Sequence, residues 1–209
     1  MRQKSLLLFL FVIFATLSVN AQYIGLKGGL NFSEFNIKND KLNDEQIRTG
    51  YHFGGFLQLP ISDGFALQPE VLYSTKGAKV KYESGEEGYT GGIDYKVDYI
   101  DVPLLGVFKL GDLFEIHLGP YVGFTSKAEF ESTGELIGKN EELDNDFFKS
   151  LDYGLIGGAA FNFGFVNVGA RYNYGLQKVE NSDFANLMIS DAKNRSFQVF
   201  VAIRIGNYD

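Results

Sequence analysis

Hydrophobic and polar residues alternate along most of this chain in stretches of about ten residues, as they do in β-strands with one apolar face. The stretch GFALQPEVLYSTKG, residues 64–77, shows the pattern. One of its alternate positions is occupied by a glutamate, Glu70, in the middle of a run that otherwise resembles a buried strand. The pattern predicts a strand with one apolar face and one polar or small face. The apolar set is Phe65, Leu67, Pro69, Val71 and Tyr73.

Seven further stretches repeat this alternation, which makes eight in all. Each is about as long as a tilted strand that crosses a bilayer, which needs roughly ten residues. In chain order the eight are YIGLKGGLNFS, GYHFGGFLQL, FALQPEVLYS, YIDVPLLGVFKL, LFEIHLGPYVGFTSK, LDYGLIGGAAFNF, FVNVGARYNYGL and SFQVFVAIRIG.

The connections between these stretches alternate between short and long. The short ones, PISDG, GD and NFG, contain the Gly, Asp or Asn that tight hairpins favour. The long ones are polar and comprise residues 33–50, 77–98, 128–150 and 177–194. Short turns at one end and long loops at the other are typical of outer-membrane barrels. The sequence therefore predicts an all-β fold, an eight-stranded antiparallel up-and-down transmembrane β-barrel with a polar, side-chain-filled lumen.

The N-terminal residues 1–21 have the features of a secretory signal peptide. Arg2 and Lys4 precede an apolar core over residues 6–17, and small residues follow at the cleavage positions. We therefore expect a signal peptide at residues 1–21 and a barrel domain at residues 22–209. No later apolar run is long enough for a transmembrane helix.

Two kinds of barrel fit eight meandering strands: a membrane barrel with an apolar exterior, and a soluble periplasmic barrel with an apolar, ligand-binding interior. The position of the charges favours the membrane barrel, because isolated charges share one face with many of the glycines while the other face is nearly uncharged. A soluble surface would carry several charges on each strand. The isolated charges are Lys27, Glu70, Asp101, Glu115, Asp152, Arg171 and Arg204.

The lumen of such a barrel should contain a polar network. Glu70 and Arg171 lie six and seven residues beyond Gly64 and Gly164, on the third and seventh stretches, so they sit at similar depths on opposite walls. We expect Arg171 to reach across to Glu70, since a lone buried charge costs several kcal/mol. The predicted network consists of Lys27, Glu70, Asp101, Asp152 and Arg171, with Asp101 or Asp152 as further partners of Arg171.

Composition narrows the possible partners and chemistry. The formal net charge is −7, which argues against nucleic acid as a partner. The chain has no cysteine, so no disulfide stabilises the fold after export. Its only histidines, His52 and His117, lie toward opposite ends of the predicted barrel and cannot share a catalytic site. We therefore expect no catalytic site and no cofactor.

One acidic segment, NEELDND at residues 140–146, offers oxygen ligands that would suit Ca²⁺. It lacks the spacing and the glycine of a calcium-binding loop, so a solvated acidic loop is the preferred interpretation and no metal site is predicted.

Several motifs resemble PorT-like outer-membrane β-barrel domains over nearly the whole chain after residue 21. They are GLKGGLNFS, LQPEVLYSTKG, YIDVPLLGVFKL, GPYVGF, DYGLIGGAAFNF and ARYNYGL. The resemblance implies an outer-membrane barrel in a family most of whose members have no defined biochemical activity. Three prolines lie inside predicted strands, and members of the family have prolines at such places, so we expect local bulges there. These prolines are Pro69, Pro103 and Pro120.

Together these features predict a monomeric, non-enzymatic protein of the outer membrane, embedded in outer-membrane lipid. Its long loops would present a surface to a protein or ligand partner outside the cell. Two alternatives remain open from the sequence: a narrow channel for small solutes, and the soluble periplasmic barrel that binds an apolar ligand.

Overall fold

The alternating stretches form ten β-strands in the computed structural model, which describes residues 23–36, 45–83, 90–133, 141–142, 151–178 and 193–206. Eight of these strands are long, and two contain two residues each. The strands are β1 (Tyr23–Asn36), β2 (Glu45–Gln46), β3 (Arg48–Ser62), β4 (Phe65–Glu83), β5 (Thr90–Leu110), β6 (Phe114–Thr133), β7 (Glu141–Glu142), β8 (Leu151–Phe163), β9 (Val166–Lys178) and β10 (Lys193–Gly206).

The eight long strands close into an antiparallel barrel. Each pairs with the long strand before and after it in the chain, and β10 pairs with β1 from Tyr23↔Gly206 to Asn36↔Lys193. The short strands β2 and β7 pair with the far ends of β4 and β6. Closure leaves no unpaired strand edge around the wall, which is what a bilayer requires of a β-structure. The predicted eight-stranded meander is confirmed.

The outer face of the wall is apolar and the inner face is polar. Leu26 and Ile205 are each 66% exposed on the outside, whereas Glu70 is 0% exposed and Arg171 is 2% exposed inside. This arrangement matches a barrel surrounded by lipid, and it is the reverse of a soluble barrel with an apolar interior. Within the described ranges, the structure has no helix that is long and apolar enough to cross a membrane.

The short turns lie at the end of the barrel where β1 begins and β10 ends. Gly111 and Gly164 occupy these turns with φ values of 68° and 64°, in the left-handed region that glycine adopts without steric cost. The Lys109 N–H donates to the Gly64 carbonyl oxygen at 2.9 Å, which ties two neighbouring turns together.

At the opposite end, three strands extend farther than the sequence predicted. The pairing of β4 with β5 continues to Glu83↔Thr90, and β5 pairs with β6 up to Gly92↔Thr133. Residues 77–83, 90–98 and 128–133, which the sequence predicted as loop, are therefore strand. In AKVKYE, residues 78–83, apolar residues alternate with charged ones, so the two-residue period of a strand continues. The high charge of this segment had suggested a loop.

The three prolines predicted to lie inside strands, Pro69, Pro103 and Pro120, interrupt pairing without shifting its register, so the expected bulges are absent there. Pairing of β3 with β4 omits the two positions between Phe56↔Glu70 and Leu59↔Leu67, next to Pro69. Equivalent two-position gaps adjoin Pro103 in the β4–β5 ladder and Pro120 in the β5–β6 ladder. Each proline lacks an N–H toward one neighbour but keeps its pairing with the other strand, so the wall stays closed.

Three features predicted from sequence lie outside the residues whose structure is described. These are the signal peptide at residues 1–21, most of the acidic loop 140–146, and residues 179–192 of the last long loop.

Candidate functional site

The centre of the lumen holds a group of buried charges around Glu70, here called the Glu70 cluster and comprising Lys27, Gln68, Glu70, His117 and Arg171. Arg171 Nη1 donates to both carboxylate oxygens of Glu70, at 2.9 and 2.8 Å. Lys27 Nζ and Gln68 Nε2 also donate to Glu70 Oε1, at 2.5 and 2.7 Å. Four donor contacts from three side chains satisfy a carboxylate that water cannot reach.

Aromatic rings cover the cations of the Glu70 cluster. Lys27 Nζ lies 4.6 Å from the ring centre of Phe200 and 5.4 Å from that of Phe56, and the Arg171 guanidinium carbon lies 4.7 Å from Phe200. These contacts add cation–π attraction in a region from which water is excluded. Phe56 and Phe200 also pack with Ala160 and Ala202, so the cluster rests on an apolar layer inside the barrel.

Toward the short turns the network continues through a histidine. His117 Nδ1 lies 2.7 Å from Nη2 of Arg171, and His117 Nε2 lies 3.2 Å from a Glu115 oxygen. Arg204 Nη1 donates to the other Glu115 oxygen at 3.2 Å, and Nη2 donates to the Gly164 carbonyl at 3.0 Å. A continuous chain of polar contacts therefore runs from Glu70 to the turn between β8 and β9.

A second group of buried charges, here called the Lys76 cluster, comprises Lys76, Tyr99, Asp101, Tyr121 and Asp152. Lys76 Nζ lies 2.9 Å from Asp101 and 3.5 Å from Asp152. The same ammonium lies 4.8 and 4.7 Å from the ring centres of Tyr99 and Tyr121. Tyr121 and Asn194 donate to an Asp152 oxygen at 3.1 and 3.0 Å.

Between the two clusters lies a layer of uncharged polar contacts. His52 Nδ1 lies 2.7 Å from Asn31 Oδ1, to which Gln198 also donates at 3.0 Å. Asn31 Nδ2 donates to the Ser74 hydroxyl at 3.0 Å. Side chains from four neighbouring strands, β10, β1, β3 and β4, therefore meet on one side of the lumen at this level.

The structure thus gives the five predicted network residues two sets of partners. Lys27, Glu70 and Arg171 lie in the Glu70 cluster, and Asp101 and Asp152 lie in the Lys76 cluster. Asp101 and Asp152 contact Lys76 instead of Arg171, so their predicted pairing with Arg171 is not seen. Lys76 was not among the predicted network residues, although it lies an even number of positions from Glu70 and Ser74, so the strand alternation places it on the same inner face.

Glycines provide the space that the network occupies. A Cβ built on Gly158 would lie 2.6 Å from Cγ of Arg171 and 2.4 Å from the Ala170 carbonyl oxygen. A Cβ on Gly123 would lie 2.6 Å from an Asp101 carboxylate oxygen. The glycines on the polar face therefore allow large charged side chains to lie against the backbone of the adjacent strand.

The described residues contain no arrangement typical of catalysis or metal binding. Both histidines lie in the lumen, 2% and 1% exposed, with the side-chain contacts given above. No group of three or more His, Cys, Asp or Glu side chains in the described residues is arranged to hold a metal ion. The charged groups of the two clusters pair with one another, while three further lumen atoms, His52 Nε2, Asp152 Oδ1 and Arg204 Nε, have no hydrogen-bond partner within the described residues.

A concave vestibule of about 510 Å³ opens at the short-turn end of the lumen. Lys109 and Arg204 lie against its Tyr23 ring, at 5.9 and 5.1 Å from the ring centre. Asp112 and Glu115 also line it, so its formal charges balance.

Comparison with solved structures shows similarity to outer-membrane barrels. Neisserial surface protein A is 16% identical with a TM-score of 0.50, and the match covers 87% of this chain and 97% of that chain. The attachment invasion locus protein Ail of Yersinia pestis, solved with the heparin analogue sucrose octasulfate, is 16% identical with a TM-score of 0.46 over 88% of this chain and 98% of that chain. OprG from Pseudomonas aeruginosa is 12% identical with a TM-score of 0.43 over 90% and 98%.

Comparison with curated proteins gave no significant sequence match. The family described as outer membrane protein beta-barrel domain matches residues 20–181, most of the 209-residue chain. Together with the apolar outer face and the closed antiparallel wall, this match confirms the predicted location. The chain belongs to the outer membrane protein beta-barrel domain family and is an integral protein of the outer membrane.

Proposed function

We propose that this protein is a non-enzymatic, monomeric barrel that passes no solute and presents its long-loop end to a partner outside the cell. The filled lumen is the observation that supports this proposal most directly. The Glu70 and Lys76 clusters join side chains from opposite walls, and every side chain of both clusters is buried. The five network residues Lys27, Glu70, Asp101, Asp152 and Arg171 would then act as structural residues that seal the lumen.

The extension of β4, β5 and β6 beyond the other strands supports the binding part of the proposal. Pairing that continues to Glu83↔Thr90 costs backbone entropy. It makes β4 and β5 19 and 21 residues long, well beyond the roughly ten residues that a strand needs to cross a bilayer. A raised sheet of three strands provides a rigid base on which loops can present side chains to a partner.

Charge limits which partner is suitable. The chain has a formal net charge of −7, and the segment NEELDND carries four carboxylates within residues 140–146. A cationic or neutral partner therefore suits these loops better than a polyanion such as the heparin analogue found with Ail. We also propose that residues 1–21 act as an export signal and that the chain belongs with the PorT-like domains, on the motifs GLKGGLNFS and YIDVPLLGVFKL.

Conductance measurements test the sealed lumen. The purified protein, reconstituted in planar bilayers, should show no discrete current steps, while a variant with Lys76→Ala, Arg171→Ala and Glu70→Ala should conduct, because these changes remove side chains from both clusters. Current steps in the unaltered protein would support the alternative of a narrow channel and would contradict the sealed barrel.

The lack of cysteine makes the orientation testable by labelling. We expect Asp144→Cys in the acidic loop to react with a membrane-impermeant maleimide on intact cells, and Asp112→Cys in a short turn to react only after lysis. Labelling of Asp112→Cys alone on intact cells would place the long loops in the periplasm and overturn the proposed orientation.

A further inference from the structure

Three aromatic rings contact one another on the outer wall near the long-loop end. The ring centres of Tyr51 and Phe53 are 6.3 Å apart, those of Tyr51 and Tyr73 are 6.2 Å apart, and those of Phe53 and Tyr73 are 5.4 Å apart. Tyr51 is 47% exposed and Phe53 is 56% exposed. Together they form an aromatic platform on β3 and β4 that faces the surroundings of the barrel.

A row of polar residues lies directly beyond this platform on the adjoining strands. Tyr73 pairs with Ile100, and two residues farther along Thr75 pairs with Asp98, which in turn pairs with Lys127. Along the outer face of these strands, the side chains therefore change from apolar to polar between one residue of that face and the next. This change places the platform at the level where hydrocarbon gives way to lipid head groups.

A β-bulge turns one of these polar side chains outward. The register of β5 with β6 shifts between Asp98↔Lys127 and Tyr99↔Thr125, which leaves Ser126 as an extra residue. Thr125 is buried, and strict alternation would turn Lys127 inward with it; instead Ser126 and Lys127 are both exposed. Bulges commonly re-aim a side chain in this way.

The carboxylate of Asp98, beside the platform, is buried, and a hydrogen bond reaches one of its two oxygens. Asp98 is 3% exposed, and its Oδ2 accepts a hydrogen bond of 2.6 Å from the Tyr73 hydroxyl. Lys96 Nζ lies 3.8 Å from the same oxygen and its side chain is 32% exposed. Asp98 Oδ1 and Thr75 Oγ1 have no hydrogen-bond partner within the described part of the chain. The site therefore combines a Tyr73 ring held by a buried carboxylate with two lysines, Lys96 and Lys127, whose side chains are at least partly exposed.

We propose that this patch, comprising Tyr51, Phe53, Tyr73, Asp98, Lys96 and Lys127, binds the phosphorylated sugar head group of an outer-leaflet glycolipid. The apolar face of a sugar ring packs on the aromatic platform, in which the buried Asp98 carboxylate holds the Tyr73 hydroxyl. Phosphates pair with the two lysines, which attract anionic head groups at a membrane surface. The acyl chains of the same lipid then lie along the apolar wall below the platform.

This inference assumes that the long-loop end faces the outer leaflet, which the maleimide experiment tests separately. A glycolipid fits better than a soluble sugar, because the platform is continuous with the lipid-facing wall.

Lipid titration followed by native mass spectrometry of the detergent-solubilised barrel tests the site. The probe is lipid A, a diphosphorylated glucosamine disaccharide with acyl chains, and phosphatidylglycerol is the anionic control lipid. We expect lipid A to bind more tightly than phosphatidylglycerol. The double change Lys96→Gln with Lys127→Gln should weaken lipid A binding roughly tenfold or more.

Changing the platform with Tyr51→Leu and Phe53→Leu should also weaken lipid A binding while leaving phosphatidylglycerol binding unchanged. Lys109→Gln at the short-turn end and Tyr172→Leu on the far wall are matched controls that should leave lipid A binding unchanged. A heat-dependent shift in gel mobility shows that each variant is folded. Equal binding of the two lipids, or equal lipid A binding by the platform variants and their controls, would overturn the proposal.

Discussion

Arg171 and Glu70 meet across the lumen although 101 positions separate them in the chain, and Nη1 of Arg171 donates to both oxygens of the carboxylate. They lie on β9 and β4, which stand opposite each other in the closed wall. The contact can form only when the barrel has closed, so it reports on the complete fold instead of a local hairpin.

Arg171→Ala should lower the free energy of unfolding, because it leaves Glu70 with Lys27 and Gln68 as its partners and leaves His117 without the guanidinium. Breaking a buried ion pair costs about 3–5 kcal/mol, and we expect the lower part of this range because Lys27 remains. Urea-induced unfolding in lipid vesicles, followed by circular dichroism, measures the loss.

The triple change Arg171→Met with Glu70→Met and Lys27→Met is the matched control for that experiment. Lys27 is included because its ammonium pairs with Glu70 and would otherwise be buried without a counterion. Removing all three charges leaves no uncompensated ion among them, so the triple variant should be more stable than Arg171→Ala. A triple variant that is at least as unstable as the single one would show that the ion pairs are not the source of the loss.

Lys76→Met should be at least as destabilising as Arg171→Ala. The Lys76 ammonium lies within 3.5 Å of both Asp101 and Asp152, so its removal leaves two buried carboxylates without their shared cation. We expect a loss of about 3–5 kcal/mol. The triple variant with Asp101→Asn and Asp152→Asn added should recover much of that loss, and failure to recover any would contradict the ion-pair explanation.

Gly158→Ala should destabilise the barrel by displacing Arg171. The added methyl group would lie 2.4 Å from the Ala170 carbonyl oxygen, which is backbone and cannot turn aside. Overpacking of this kind costs about 1–3 kcal/mol. Gly55→Ala is the control, because its nearest neighbour is the Gly25 carbonyl oxygen at 3.5 Å. Equal unfolding free energies for the two variants would exclude the steric explanation.

Backbone amides next to Pro69, Pro103 and Pro120 should exchange with solvent deuterium faster than other amides of the wall. The ladder gaps beside Pro69, Pro103 and Pro120 remove pairs from three neighbouring ladders. Amides of β10 opposite β1, where pairing is unbroken from Tyr23↔Gly206 to Asn36↔Lys193, provide the comparison. Uniform protection along all eight long strands in nanodiscs would show that the gaps do not weaken the wall.

Alternation and turn chemistry were enough to predict the strand number, the closed wall and the location, because a side-chain period of two and a bilayer leave few other solutions. Partners inside the lumen depend instead on strand tilt and stagger. Asp101 and Arg171 were expected to interact because both face inward, yet they belong to different clusters. Lys76 was overlooked because it follows the last apolar residue of its stretch and resembles the start of a loop.

The prolines show a second limit of prediction from sequence. Sequence indicates that Pro69 cannot donate to a ladder, but it does not decide between a bulge and a gap. In the structure the neighbouring ladder pairs Pro69 with Leu104, so the register is held from the other side. The outward turn of Lys127 likewise depends on an extra residue that appears only when β5 and β6 are aligned.

The division of the lumen into two clusters has a consequence for how the barrel selects its final alignment. A strand displaced by two positions keeps its apolar face toward lipid and keeps its backbone hydrogen bonds, so the wall alone discriminates poorly between such alignments. The same displacement would separate Glu70 from Arg171, or Asp101 from Lys76, and would leave charges buried without counterions. The interior charges therefore fix the stagger of the strands on closure, and with it the shear and radius of the barrel.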